Sequence, residues 1–175
     1  MSRSVVTVGG LPGSGTTTTC ILLEQRTGLS HVNIGTIFRT MATERGMSLN
    51  EFGAYVVSHP EVDRELDARQ VEIARGGGVL LEGRLSGYMV GEAGLDVLRV
   101  WLDAAEEIRH ARVARREGIS LAAARTITEE RERDEKARYL DFYGFDLYDT
   151  SIYDLIIDTG RTPTEDVVRR ILASM

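Results

Sequence analysis

Residues 5–18 read Val-Val-Thr-Val-Gly-Gly-Leu-Pro-Gly-Ser-Gly-Thr-Thr-Thr, and this stretch decides the fold. Its apolar start, residues 5–8, predicts a buried strand, and residues 18–26 predict a helix that ends at Gly28. The glycines between them let the backbone turn tightly, so that successive N–H groups point into one concavity. The helix N-terminus adds a positive dipole end and unpaired N–H groups. The stretch therefore predicts a loop that binds a nucleotide polyphosphate.

One position differs from the general phosphate-loop pattern G-x-x-x-x-G-K-[ST]. Thr16 stands at the lysine position, while Thr17 supplies the hydroxyl that the pattern places on Mg²⁺. Of the 21 lysine and arginine residues only Lys136 is a lysine, so arginines from elsewhere must supply positive charge to bound ATP. The alternative is a glycine-rich turn that binds nothing. The residues that we expect to bind ATP are Gly10, Leu11, Pro12, Gly13, Ser14, Gly15, Thr16, Thr17 and Thr18.

Composition limits the class of protein. A chain of 175 residues is long enough for one domain with a sizeable core, and its net charge of −6 argues against general nucleic-acid binding. The single cysteine, Cys20, excludes an internal disulfide and falls in the apolar pattern of the first helix, which predicts a buried thiol. The histidines at 31, 59 and 110 lack metal-ligand spacing, so we expect no protein-held zinc site. Without a signal peptide or an apolar run of membrane-spanning length, the chain is expected to be cytoplasmic and independent of membranes.

Strand and helix patterns alternate along the chain, which predicts an α/β fold, a five-stranded parallel sheet with helices on both faces. Capping boxes at residues 48–51 and 162–165 each predict the start of a helix. The helices of residues 35–76 form an insertion over one edge of the sheet, which could hold a second substrate. The strands are expected at residues 5–8, 31–34, 79–82, 97–102 and 153–158.

An acid and an arginine follow the third expected strand. Glu82 ends that strand, and Arg84 comes two residues later. Ligands of open α/β folds lie at the carboxyl ends of the strands, so Glu82 is placed to act on Mg²⁺ or its water shell, and Arg84 to reach a phosphate. The alternative is a strand-capping acid paired with a local arginine.

Residues 109–138 form two helices that carry many arginines with acids interleaved. One interpretation is a pair of solvated helices with ion pairs four residues apart. The other is a helical hairpin, a lid that closes over ATP and delivers arginines to the transferring phosphate, since the planar guanidinium suits phosphate oxygens. Arg131 and Arg138 are seven residues apart and share one helix face. The arginines that we expect in catalysis are Arg115, Arg116, Arg131 and Arg138.

Taken together, these motifs resemble the nucleoside monophosphate kinases, and most closely the archaeal-type cytidylate kinases. In that family a threonine is similarly found at the usual lysine position of the loop. The residue at 88 is a departure, because Tyr88 stands where the archaeal type often has Trp. The stretches that carry the resemblance are Gly10 to Thr18, Ile37-Phe38-Arg39, Glu65 to Gln70, Leu81 to Leu85, Arg115 to Ser120, Glu130-Arg131-Glu132, Arg138-Tyr139, Tyr143-Gly144 and Ser151 to Leu155.

The resemblance implies phosphoryl transfer from ATP to CMP or dCMP, with Mg²⁺ as cofactor and a monomeric protein. It implies that Thr17 and Glu82 hold Mg²⁺, directly or through water. The other implied roles are acceptor-phosphate binding by Arg39 and Arg84, contact with the acceptor ribose by Glu135, a lid function for Arg115 or Arg116, and bridging of the two substrates' phosphates by Arg131 and Arg138.

Three alternatives stay open at this stage. The first is a kinase for another small acceptor, such as AMP, UMP or a non-nucleotide metabolite. The second is a nucleotide-binding switch without transfer activity, although the chain has no guanine-reading N-K-x-D stretch. The third is a kinase disabled by Thr16. The sequence does not identify the residues that read the acceptor base.

Overall fold

The computed structural model describes residues 4–175 of the chain. Strands and helices alternate along most of this part, as the sequence pattern predicts. In chain order the elements are β1 (Val5–Gly10), α1 (Thr16–Thr27), β2 (Ser30–Asn33), α2 (Ile34–Glu44), α3 (Leu49–Ser58), α4 (Pro60–Arg75), β3 (Val79–Glu82), α5 (Ser86–Glu92), β4 (Leu98–Asp103), α6 (Glu106–Glu117), α7 (Leu121–Tyr143), β5 (Leu155–Asp158) and α8 (Thr164–Ser174).

The strands form one parallel sheet in the order β2-β3-β1-β4-β5, which confirms the predicted fold. The first strand lies at the centre, with β3 on one side and β4 on the other. Val8 of β1 is in register with Glu82 at the end of β3, and Gly10 is in register with Leu102. The loop after β1 therefore emerges beside the last residues of both neighbouring strands.

Side chains on the two sheet faces alternate along each strand, because successive strand residues point to opposite sides. Leu80 of β3 is fully buried against α1 and α8, in the cluster that contains Cys20 and Ile171. Its neighbour Leu81 is fully buried on the opposite face, in the cluster that contains Leu66 of α4 and Val90 of α5. Helices thus cover both faces of the sheet.

Three features differ from the sequence predictions. The box at Ser48 forms as predicted, but the one at residues 162–165 does not, because Pro163 takes the N-cap position and makes no side-chain cap bond. Helix α7 continues to Tyr143 and ends at Gly144, whose φ of 65° reverses the chain. Helix α5 was not predicted. Its glycine-containing sequence has little apolar periodicity. A tertiary contact requires the glycine at position 87, since a Cβ there would lie 2.8 Å from the Tyr153 ring.

Within residues 4–175, no helix combines the length and the apolar character needed to cross a bilayer.

Two adjacent residues of the edge strand β5 provide a test of which face of this strand is buried. Ile157 is fully buried, whereas Ile156 is 49% exposed. We expect Ile157→Ala to lower the free energy of unfolding by about 3 kcal/mol, because it removes packed methyl groups and leaves a cavity. The matched control Ile156→Ala should cost less than about 1 kcal/mol. Urea unfolding measures both, and equal losses would contradict the burial of this face.

Candidate active site

The turn after β1 has the backbone that a phosphate loop (residues 10–17) requires. Gly13 and Gly15 have φ values of 85° and 92°, a region that side-chain-bearing residues rarely adopt. A Cβ on Gly13 would also lie 2.4 Å from the carbonyl oxygen of Arg109. Gly15 is the N-cap of α1, and its carbonyl accepts the first helical bond from Thr19 N–H. The loop therefore leads directly into a helix N-terminus, which favours an anion.

Side chains from distant parts of the chain hold three successive carbonyl groups of this loop. Arg109 Nη1 donates to the carbonyl of Pro12 at 3.2 Å, and Arg112 Nη1 donates to that of Gly13 at 3.1 Å. The Thr159 hydroxyl donates to the carbonyl of Ser14 at 2.8 Å. Because these three carbonyl groups point toward Arg109, Arg112 and Thr159, the N–H groups of so tight a loop are favoured to point in the opposite direction, into the concavity where an anion binds.

This supporting role of Arg109 was not apparent from the sequence, whose pattern indicated either two solvated helices or a lid over ATP. Arg109 is only 2% exposed and forms a buried ion pair with Glu132 of α7. The Arg109 Nε also donates to the carbonyl of Ala104 at 3.1 Å. Nothing in the local pattern separates Arg109 from its arginine neighbours, because its partners lie 97 and 23 residues away.

Glu82 stands beside the loop and accepts four hydrogen bonds or close polar contacts. Its Oε1 accepts from the hydroxyls of Thr16 at 2.8 Å and Thr17 at 2.6 Å. Its Oε2 accepts from Asn33 Nδ2 at 2.6 Å and lies 2.8 Å from His31 Nε2. Burial alone would raise the pKa of Glu82, but the bonds from His31 and the two threonines outweigh burial and lower it. Glu82 is therefore ionised at neutral pH.

The paired oxygens of Thr17 and Glu82 fit a divalent cation such as Mg²⁺. Hydroxyl and carboxylate oxygens are the ligands that Mg²⁺ prefers, and these two lie 2.6 Å apart at the helix N-terminus where polyphosphate is expected. The structure thus brings together the two residues that the sequence analysis selected for the metal.

A second charged group, the Glu135 cluster, joins Arg84, Arg131 and Glu135. Glu135 Oε1 accepts from Arg84 Nη1 and from Arg131 Nε, each at 3.0 Å. Among the described residues, two buried atoms of the cluster have no hydrogen-bond partner, Arg84 Nε and Glu135 Oε2. A buried donor without a partner is costly, so the cluster has unused capacity for a ligand.

The third group connects α7 with α4. Arg138 Nε lies 3.5 Å from Asp63 Oδ2, and its guanidinium carbon is 5.5 Å from the centre of the Phe38 ring. Asp67, one turn further along α4, accepts a hydrogen bond from the Tyr143 hydroxyl. Burial raises the pKa of Asp67 to about 6, and the nearby Asp63 carboxylate adds to this effect. The α4–α7 contact therefore contains an arginine and two acids in a partly dehydrated setting.

The remaining predicted residues lie apart from these groups. Arg39 is exposed and donates to the Thr36 hydroxyl at 2.8 Å. Arg115 and Arg116 are exposed in the last turn of α6, where Arg116 pairs with Glu117 at 2.8 Å. Among the described residues, no hydrogen bond or ion pair joins these three arginines to the phosphate loop or to the Glu135 cluster.

Solved structures share this architecture at low sequence identity. An uncharacterized protein from Eubacterium ventriosum has a TM-score of 0.72 and 14% identity, with 97% of this chain and 96% of that chain covered. Shikimate kinase from Bacteroides thetaiotaomicron has a TM-score of 0.59 and 13% identity, with 99% and 98% covered. Shikimate kinase from Aquifex aeolicus has a TM-score of 0.56 and 17% identity, with 97% and 94% covered. The fold is that of the P-loop kinases.

Sequence comparison narrows this class to one family. The profile of the cytidylate kinase-like family matches residues 5–161. A cytidylate kinase of Pyrococcus abyssi is 52% identical over 171 residues, which cover 98% of this chain and 93% of that protein. A cytidylate kinase of Methanocaldococcus jannaschii is 47% identical, with 93% and 92% covered. The chain belongs to the cytidylate kinase-like family, as the resemblance of its motifs predicts.

The raised pKa of Asp67 makes a prediction about stability. A carboxyl whose folded-state pKa exceeds its unfolded value stabilises the fold below the unfolded pKa and loses that contribution as the pH rises through the folded pKa. Between about pH 5 and pH 8, the wild type should therefore lose roughly 1–2 kcal/mol relative to Asp67→Asn, which cannot ionise. Urea unfolding of both proteins at the two pH values measures the difference.

The control for this experiment is Asp134→Asn, because Asp134 lies on α7, the helix that contacts α4, and its side chain is 75% exposed. The free energy of unfolding of this variant should change with pH as that of the wild type does. If the difference in free energy of unfolding between the wild type and Asp67→Asn is the same at both pH values, the proposed effect of burial on Asp67 is contradicted.

Proposed function

We propose that this protein is a phosphotransferase that moves the γ-phosphoryl group of ATP to CMP or dCMP, giving ADP and CDP or dCDP. The observation that carries the proposal is the position of the Glu135 cluster. Arg84 of that cluster is two residues from Glu82, which contacts the phosphate loop. The phosphate loop, Glu82 and the arginines of the Glu135 cluster thus lie together at the carboxyl end of the parallel strands. The sequence identity of about 50% to cytidylate kinases supports the same reaction.

On the donor side, the loop N–H groups and the N-terminus of α1 bind the β-phosphate of ATP. Thr17 and Glu82 hold Mg²⁺, directly or through water. Mg²⁺ would neutralise charge that develops on the phosphate oxygens. Thr16 cannot supply the charge of the usual lysine, and the arginines of the Glu135 cluster and of α7 take over that role.

On the acceptor side, Arg84, Arg138 and Arg39 bind the phosphate of the nucleotide monophosphate. Arg84 and Arg138 are largely buried and already paired with acids, which keeps their guanidinium groups in place before the substrate arrives. Among the described residues neither Arg84 Nε nor Arg138 Nε makes a hydrogen bond, although Arg138 Nε lies 3.5 Å from Asp63 Oδ2, so both offer donors to phosphate oxygens. Glu135 binds the ribose, for which its free Oε2 is available as an acceptor.

Transfer itself needs positioning and charge neutralisation. The phosphate oxygen of CMP is anionic at neutral pH, so no protein group has to remove a proton from it. Arg131 and Arg138 bridge the two phosphates and hold them in line. The α6–α7 hairpin, residues 109–138, acts as a lid over ATP. Its closure brings Arg115 or Arg116 to the transferring group and excludes water.

We also propose that the enzyme is a cytoplasmic monomer that acts on free nucleotides and binds neither nucleic acid nor membrane. The net charge of −6 supports the separation from nucleic acid, whose phosphates would repel such a surface.

An acceptor panel tests the reaction. ADP release is measured with ATP, Mg²⁺ and one acceptor at a time, namely CMP, dCMP, UMP, AMP or GMP. We expect strong release with CMP and dCMP and weak release with the purines. Strong release with AMP or UMP instead would replace the proposed acceptor, and ATP binding without release for any acceptor would contradict transfer.

A variant of Arg131 tests the mechanism. Arg131→Ala should lower kcat by about 10²–10³-fold, because it removes a positive charge that acts on the transferring phosphate. The matched control is Arg125→Ala on the same helix, where Arg125 is exposed and pairs only with Glu129 in the described contacts. The control should keep wild-type kcat. Steady-state kinetics with saturating CMP measures both, and near-normal turnover of Arg131→Ala would remove Arg131 from the mechanism.

A further inference from the structure

Glu82 lies close to two further side chains that can ligate a metal ion. The structure brings together Cys20 of α1, His31 of β2 and Glu82 of β3. One potential ligand atom from each residue, a sulfur, a ring nitrogen and a carboxylate oxygen, lies within 4.8 Å of the other two. His31 and Glu82 are already in contact, with 2.8 Å between Nε2 and Oε2. We name these three residues the thiol cluster.

The donor set of the thiol cluster suits a soft or borderline divalent cation. Zn²⁺ combines thiolate, imidazole and carboxylate in tetrahedral sites, and its bond lengths of about 2.0–2.3 Å place neighbouring ligand atoms roughly 3.5 Å apart. The atoms of the thiol cluster lie within 4.8 Å of one another, so no pair has to close by more than about 1.3 Å to reach this spacing. Mg²⁺ prefers six oxygen ligands, so the same three groups do not favour it.

Charge balance also favours such an ion. A dication bound by one thiolate, one carboxylate and a neutral imidazole has no net charge, which lowers the cost of holding it in a buried place. Cys20 is fully buried, and burial raises the pKa of its thiol, with Glu82 adding to the effect. A bound cation reverses this by stabilising the thiolate, so that the thiol releases its proton on binding.

Access to the cluster comes from the β2 side. His31 has a side chain that is 12% exposed, and the neighbouring Asn33 is also partly exposed. Asn33 donates to the same carboxylate oxygen as His31 contacts. Of the three ligating side chains His31 is the most exposed, so an incoming ion would meet the imidazole first.

We propose that Cys20, His31 and Glu82 form a binding site for a thiophilic divalent cation such as Zn²⁺, and that the bound ion inhibits the enzyme. Inhibition follows because Glu82 is also the carboxylate proposed to hold Mg²⁺, so an ion bound to Glu82, His31 and Cys20 competes for that group. The inhibition rests on the proposed kinase function, whereas binding of the ion does not.

Binding is tested with Co²⁺ in the full chain without nucleotide. The wild type should develop the absorption band of thiolate-to-cobalt charge transfer, and Cys20→Ala should lose it. His59→Gln is the matched control, because it removes an imidazole that stacks on Tyr55, in α3. This control should keep the band. Absence of the band in the wild type, or cobalt d–d absorption in Cys20→Ala as strong as in the wild type at the same Co²⁺ concentration, would overturn the proposal.

Inhibition is tested by titrating Zn²⁺ against turnover with Mg²⁺ and ATP in excess. Without Zn²⁺, Cys20→Ala should turn over like the wild type, since Cys20 touches neither substrate in the proposed mechanism. It should need at least about tenfold more Zn²⁺ for half-inhibition, the scale on which loss of a supporting group weakens a metal site. Equal sensitivity of wild type and Cys20→Ala would overturn the inhibitory role.

A second variant guards against loss of the fold. Cys20→Val keeps most of the buried volume in the cluster of Leu23 and Leu80, and circular dichroism checks that both variants are folded. Both should lack the cobalt band. Because the band needs no substrate, a wild type that binds Co²⁺ but transfers phosphate to no acceptor would contradict the kinase proposal and leave the metal site intact.

Discussion

The buried carboxylate of Glu82 is the interaction on which the site depends. Its two oxygens contact the hydroxyls of Thr16 and Thr17 on one side and the side chains of His31 and Asn33 on the other. These partners belong to the start of α1 and to β2, so one ionised group joins three elements at the sheet edge. An unpaired charge in this position would be strongly destabilising, and the hydrogen bonds are what make its burial tolerable.

The same principle organises the opposite side of the site. Three arginines with little exposed surface pair with an acid on another element: Arg84 with Glu135, Arg138 with Asp63 and Arg109 with Glu132. Such pairs contribute little net stability, but they hold the guanidinium groups in fixed places. Among the described residues, Arg84 Nε and Glu135 Oε2 have no hydrogen-bond partner, so these atoms are available to the substrate in the proposed mechanism.

Helix α6 links the two halves of the site. Its first turns hold the carbonyl groups of Pro12 and Gly13 through Arg109 and Arg112, and its last turn carries exposed arginines. Glu132 of α7 pairs with Arg109, so the α6–α7 hairpin is anchored at the loop. If the hairpin moves as the proposed lid, that movement starts from a point that contacts the phosphate loop.

Local sequence patterns were sufficient to predict the phosphate loop, the parallel α/β sheet and the family. The positive φ of Gly13 and the strand that ends at Glu82 are dictated by neighbouring residues, so the sequence reveals them directly. Contacts between distant segments were not predictable in this way. The sheet order places His31 beside Glu82 and Cys20, a grouping that the spacing of the histidines, from which we expected no protein-held zinc site, does not reveal. Likewise, only packing distinguishes buried Arg109 from its exposed neighbours, because burial depends on which element lies opposite and not on residue type.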